Sequence, residues 1–244
     1  MLEHVLNLGN QLKTDLDTSE GFTSVDYEKI VIVGMGGSGV AGDVLKLILN
    51  QYTNIDVEVR KTYNLTKTQI AARPFCLFIS YSGNTEETIS AAKNAIDENL
   101  EWAAISSGGE LLDLATKHNK KFVKVPDGLQ PRAAFGLMTK AVVNYLPNQT
   151  KKIFIDACEE AGNYLNNLTE DASNEVFEIS KDIANQIGSK TAVIYAGSDL
   201  TYLVAQRWKT QINENSKSKA YVGFMPEVHH NEILSWEADQ EGSK

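Results

Sequence analysis

Cys76 and Cys158 are the only two cysteines in 244 residues. So few thiols, so far apart, make neither a disulfide framework nor a zinc site, and both read as buried thiols of a reducing cytoplasm. Long apolar runs are missing too. None approaches the ~20 residues that cross a bilayer, which argues against a membrane protein. The opening MLEHVLNLGNQLK has an acidic residue, Glu3, and no apolar stretch followed by a small-residue cleavage site, so it does not read as a signal peptide. Positive charge is also short: 23 Lys and Arg stand against 32 Asp and Glu, a net charge of −9. That balance disfavours a nucleic-acid partner, which needs a basic stripe. A small anion is still compatible with it, because helix N-termini and one well-placed arginine supply a local positive field.

What is present is ordinary globular composition, in a length that suits one or two domains. Short β-branched runs alternate with amphipathic stretches. Residues 1–20 read as a helix, with Leu2, Val5, Leu6 and Leu12 roughly along one face. Strands are expected at KIVIVG (29–34), VEVRK (57–61), CLFISYS (76–82), WAAIS (102–106) and KFVKVP (121–126), with helices such as VAGDVLKLILNQY and ETISAAKNAIDEN between them. Runs apolar on both faces suit parallel strands covered by helices on either side. The expected fold is therefore α/β, with a doubly wound parallel sheet in a first domain over 1–150. A helical connection is expected over 151–187, and the start of a second lobe over 188–244. There TAVIYAG (191–197) repeats the logic of KIVIVG, followed by the strand AYVGFMP (220–226) and a helix HHNEILSWE. Two strands do not make a stable covered sheet, so this lobe is expected to be truncated, ending in the polar tail ADQEGSK.

Two loops carry the chemistry. The first, VGMGGSGVAGD (33–43), places Gly34, Gly36 and Gly39 in a G-x-G-x-x-G pattern between a strand and a helix. Glycines let the backbone approach an anion, and the helix start presents free N–H groups to it. A dinucleotide site shares these features and also wants an acid ending the next strand; VEVRK offers Glu58 and then Arg60, which leaves that test open. The second loop, SYSGNTEET (80–88), sets Ser80, Ser82 and Thr85 around Gly83 ahead of another helix. Several hydroxyls with backbone N–H groups suit a phosphate monoester, which has three terminal oxygens to satisfy. A dinucleotide enzyme has no use for this second cradle.

GMGGSG, SYSGNTEET, QPRAAFG (130–136), NEN (213–215) and HHNEI (229–233) together resemble the sugar isomerase (SIS) domain family. Within it they are similar to the bifunctional phosphoglucose/phosphomannose isomerases, in order from about residue 25 to residue 237. The resemblance implies an aldose–ketose isomerase that interconverts glucose 6-phosphate, with mannose 6-phosphate as a further substrate, and fructose 6-phosphate through a cis-enediol. The substrate binders it implies are Gly37, Ser38, Ser80, Ser82, Thr85 and Arg132. Glu214 matches the family's base, Arg132 the residue that steadies the enediolate, and His230 the ring-opening group. In the family that histidine reaches across a homodimer interface. No cofactor or metal is expected, and the location implied is cytoplasmic. The family also places a ring-opening lysine and a hydroxyl residue beyond the point that Lys244 reaches. The alternative reading is a SIS-type module that binds a sugar phosphate without catalysis, which has no need of a base opposite an oxyanion donor.

Overall fold

The computed structural model describes residues 2–20, 27–170 and 175–238, which fall into two units, 1–174 and 175–244. In the first unit the elements run α1 (Leu2–Leu6), α2 (Leu8–Lys13), β1 (Asp17–Thr18), β2 (Lys29–Gly34), α3 (Gly36–Tyr52), β3 (Asp56–Arg60), α4 (Lys67–Ala71) and β4 (Phe75–Ile79). They continue with α5 (Glu86–Asp97), β5 (Trp102–Ser106), α6 (Gly109–Lys117), β6 (Lys121–Lys124), a 3₁₀ turn Pro131–Ala133, α7 (Phe135–Val143) and α8 (Asn148–Thr169). The six strands form one sheet in the order β1-β6-β5-β4-β2-β3. All neighbours are parallel except β1, which runs antiparallel along β6.

Alternation within the strands divides the core in two. Ile30 and Ile32 of β2, with Leu77 and Ile79 of β4, pack on one face against Leu45 and Leu49 of α3 and Leu137 and Met138 of α7. Val31 and Val33, with Cys76 and Phe78, pack on the other against Ala91 and Ala92 of α5 and Leu111 of α6. Each fully buried aliphatic side chain contributes roughly 1.5–3 kcal/mol. Both faces of the sheet are thus covered, which is the doubly wound arrangement. Four strand positions agree with the sequence reading to within a residue or two, but the third strand ends at Ile79, leaving Ser80–Ser82 in a turn.

The N-terminal reading needs correction. Residues 2–13 make two short helices, and the chain then extends into β1 rather than continuing as a helix to residue 20. The sequence TDLDTSE explains the break, because Asp, Thr and Ser favour turns and caps over helix interiors. Helix α8 packs against α2 within the first unit, where the Lys13 ammonium donates to Asn163 at 2.6 Å.

The second unit contains α9 (Glu175–Ile187), β7 (Ala192–Ala196), α10 (Asp199–Gln211), a π turn Ile212–Ser216, β8 (Ala220–Phe224), α11 (Glu227–His230) and α12 (Ile233–Ala238). Strands β7 and β8 pair in parallel, joined by α10. Ser198 caps α10 through a reciprocal pair with Thr201. Among the described residues of this unit, the buried apolar ones are all small or medium: Ala196, Ala205, Ala220 and Val228. Residues 171–174 of the expected helical connection, and the tail from Asp239, lie outside the described residues.

Candidate active site

Among the five parallel strands the order is β3-β2-β4-β5-β6, so the chain builds outward in opposite directions from the β2–β4 pair. At such a switch point the loops leaving the carboxyl ends diverge, and the crevice between them is where open α/β sheets bind ligands. The loops there are the two singled out by their glycines and hydroxyls. One leaves β2 and enters α3, and the other leaves β4 and enters α5. Neither helix has a side-chain cap: Met35 precedes α3, and Thr85 precedes α5 without capping it. Their first-turn N–H groups therefore lack intrahelical acceptors and carry the positive end of the helix dipole.

The two loops are locked together. Ser38 is buried, and its Oγ accepts the Tyr81 backbone N–H at 3.0 Å, leaving its own O–H to donate elsewhere. Ser80 is fully buried; its Oγ lies 2.8 Å from Thr85 Oγ1 and accepts the Gly83 N–H at 3.1 Å. Ser82 is exposed and accepts weakly from the Asn84 N–H at 3.3 Å. Gly83 sits at φ +72°, and a Cβ there would fall 1.7 Å from the Gly108 carbonyl oxygen. Only glycine lets the turn close on the loop after β5. From that loop, Ser107 donates both its N–H and its hydroxyl to the Tyr81 carbonyl, at 2.9 and 2.7 Å.

Arg132 joins this group. Its 3₁₀ turn packs on the first loop so closely that a Cβ on Gly37 would lie 3.0 Å from the Pro131 carbonyl oxygen and 3.8 Å from Arg132 Cα. Beneath the turn, buried Gln11 donates to the Ala133 carbonyl at 2.9 Å and accepts from the Gly136 N–H at 3.0 Å. The sequence reading passed over both Gln11 and Tyr81. The first gives no signal in an N-terminal helix, whereas the second stands between two serines of the motif itself.

At the carboxyl end of β3 Glu58 has a partner. Arg60, opposite Val33, pairs with Glu58 at 3.6 Å, and the next residue, Lys61, pairs with Asp43 of α3 at 2.5 Å. Glu58 is thus ion-paired, and this strand end carries two cations beside it.

Glu214 and His230 belong to the second unit. Glu214 is half-buried in the π turn that extends α10, a rare geometry often found at functional positions. Asn213 of the same turn donates to the Ser218 carbonyl at 2.8 Å. Burial lowers the pKa of Arg207 on α10, and the charge of Glu214 works in the opposite direction. A carboxylate at a helix C-terminus is disfavoured by the dipole, and this guanidinium offsets that. His229 and His230 end α11, and both are exposed.

Comparison with known proteins agrees with this fold. Residues 25–122 match the SIS domain model, and residues 178–244 match the bacterial phospho-glucose isomerase C-terminal SIS domain. A bifunctional phosphoglucose/phosphomannose isomerase of Caldicellulosiruptor bescii is 34% identical over 98% of this chain and 72% of its own length. The chain belongs to the bifunctional phosphoglucose/phosphomannose isomerase family. The family's enzyme from Aquifex aeolicus is 39% identical over 86% of this chain, which spans 62% of that relative's length. A D-glucosamine-6-phosphate 4-epimerase of Sulfolobus acidocaldarius is 34% identical over 87% of the chain and 65% of its own length. Among solved structures, the C-terminal domain of glucosamine-fructose-6-phosphate aminotransferase from Francisella tularensis shares the fold, with a TM-score of 0.66 at 16% identity over 96% of this chain and 72% of that one. Among the described residues, no helix is long and apolar enough to cross a membrane.

Proposed function

We propose that this family member interconverts the 6-phosphates of glucose and mannose with fructose 6-phosphate, through a cis-enediol(ate). The observation that carries the reading is the pair of uncapped helix N-termini at the β2–β4 switch point, with the Arg132 turn packed on Gly37. The phosphate takes the first-turn N–H groups of α5 and the hydroxyls of Ser82 and Thr85, and the Gly37–Ser38 loop closes on the sugar. Arg132 faces the oxygens of C1 and C2, where its fork matches the charge that develops when the proton leaves carbon. Glu214 moves that proton between C2 and C1 as the general base. His230, exposed at the end of α11, opens the ring in a neighbouring subunit of a homodimer.

The test is Glu214→Gln in the full-length protein, with solvent deuterium followed into the sugar by NMR. The amide keeps size and hydrogen bonding but cannot take a proton, so exchange at C2 should fall by ~10²–10⁴-fold, while glucose 6-phosphate still binds. Exchange at the wild-type rate would leave Glu214 a surface residue and favour the binding-module reading. The Sulfolobus relative, named as a 4-epimerase, gives a second reading for the same scaffold. Position-resolved labelling separates the two, because a reaction at C4 leaves the C2 proton in place.

A further inference from the structure

Arg132 is carried on an exposed stretch of chain, 126–130, that leaves β6 and ends in the 3₁₀ turn. An oxyanion donor on a loose connection is a poor one, since its value depends on being in place before charge develops. The structure shows what ties this stretch down. Tyr81 is 4% exposed, and its hydroxyl donates to the Pro126 carbonyl at 2.9 Å and accepts from the Leu129 N–H at 3.0 Å. The hydroxyl thus grips both ends of a four-residue loop whose tip, Gly128, lies at φ +89°. From Leu129 the chain reaches Arg132 in three residues, and the turn is closed by the Ala133 N–H on the Gln130 carbonyl at 2.7 Å.

The backbone of Tyr81 is itself held on both sides. Its N–H goes to Ser38 in the glycine loop, and its carbonyl takes two hydrogen bonds from Ser107. One residue therefore joins the first loop, the phosphate turn, the loop after β5 and the approach to Arg132. We propose that Tyr81 is a positioning residue. Its phenol sets Arg132 relative to the two cradle loops, so that the guanidinium meets the C1–C2 end of the sugar while the phosphate is held at the α5 end. This rests on the isomerase reading, because it gives Arg132 an anionic partner at C1–C2.

The experiment uses Tyr81→Phe in the full-length protein and two probes measured by calorimetry. One is inorganic phosphate, which reports the cradle. The other is 5-phosphoarabinonate, whose carboxylate stands where the enediolate oxygens form. Tyr81→Phe should weaken the arabinonate by about 10- to 100-fold, the scale on which small misplacements act, with phosphate affinity changed less than twofold. In an Arg132→Ala background Tyr81→Phe should have no further effect on the arabinonate, because residues acting through one another are non-additive. With glucose 6-phosphate as substrate, kcat should fall while KM changes little.

Equal loss of both probes would make Tyr81 a structural support of the cradle and overturn the proposal. So would an undiminished effect in the Arg132→Ala background. If the wild type prefers the arabinonate to phosphate but Tyr81→Phe does not change this, the isomerase reading stands and the positioning role falls. If the wild type shows no preference, Arg132 does not face the sugar end, and both fall together. Should the phenylalanine variant fail to fold, p-aminophenylalanine at position 81 keeps a donor for Pro126. It should then retain most of the arabinonate preference, and losing that preference counts against the proposal.

Discussion

The two serines of the turn after β4 should separate when each is replaced by alanine, because the fold uses one and exposes the other. Ser80 is fully buried; its oxygen accepts from Gly83 and pairs with Thr85. Ser80→Ala loses both bonds, although the Gly83 N–H keeps the Ser80 carbonyl at 3.1 Å and half-exposed Thr85 can turn to water. At about 0.5–1.5 kcal/mol for each net hydrogen bond, the expected loss of stability is roughly 1–2 kcal/mol. Ser82 lies on the surface with one weak bond to Asn84, so Ser82→Ala should leave stability within about 0.5 kcal/mol. Affinity should show the reverse pattern. A hydroxyl bonded to a phosphate dianion is worth about 1.5–3 kcal/mol, so Ser82→Ala should weaken glucose 6-phosphate roughly 10- to 100-fold. Urea unfolding followed by circular dichroism gives the first quantity, and calorimetric titration gives the second. Wild-type affinity in Ser82→Ala would mean that the anion does not sit on this turn. An unmoved urea midpoint in Ser80→Ala would mean that its buried bonds contribute nothing.

Two further outcomes follow from the same region and its core. Gly83→Ala combines a left-handed backbone with a methyl 1.7 Å from the Gly108 carbonyl oxygen, so it should cost roughly 2–5 kcal/mol in urea unfolding; a loss below about 1 kcal/mol would show that the two loops do not need their close approach. Burial pushes the Cys76 thiol up from 9.0 to about 12, so the folded state holds a proton that the unfolded state releases. The stability this gives is complete below about pH 9 and is lost as pH rises towards 12; urea midpoints from about pH 8 to 11 should fall more steeply in the wild type than in Cys76→Ala, and parallel slopes would refute the assignment.

The sheet was readable because its strands are short, apolar on both faces and punctuated by glycine and serine. KIVIVG and WAAIS each match a strand residue for residue, since burial on both sides demands an unbroken apolar run. The N-terminus was not, because Leu2, Val5, Leu6 and Leu12 are compatible with one helix or two, and the edge strand Asp17–Thr18 consists of two polar residues whose pairing partner, β6, lies more than a hundred positions away. Local pattern cannot report a contact of that range. Within the site, the sequence marked the residues that offer hydroxyls and charge. It did not show that Ser80 and Thr85 face one another, or that Ser38 has its acceptor taken by Tyr81. The first depends on how one turn folds back on itself, and the second on where two loops meet, which strand order decides. Gln11 is the extreme case: a polar side chain 3% exposed, holding a turn 122 residues away in sequence.

The strand order also accounts for how reactions named differently arise among relatives of one scaffold. A cradle made from helix N-termini and hydroxyls recognises a phosphate monoester by charge and oxygen count, and those do not depend on the configuration of any sugar carbon. Such binding is equally strong in ground and transition states, so by itself it accelerates nothing. What it does is fix one end of the ligand on rigid backbone, secured in this chain by Gly83, Ser80 and Tyr81. The carbon that reacts is then chosen by the groups that reach the other end of the sugar. In the proposed mechanism these are Arg132, Glu214 and His230, none of which belongs to the two cradle loops. Changing such groups while keeping the cradle alters the chemistry without altering the class of substrate. On the proposed mechanism the SIS motif selects the phosphate, and the NEN and QPRAAFG segments, rather than SYSGNTEET, are where an isomerase and an epimerase should differ.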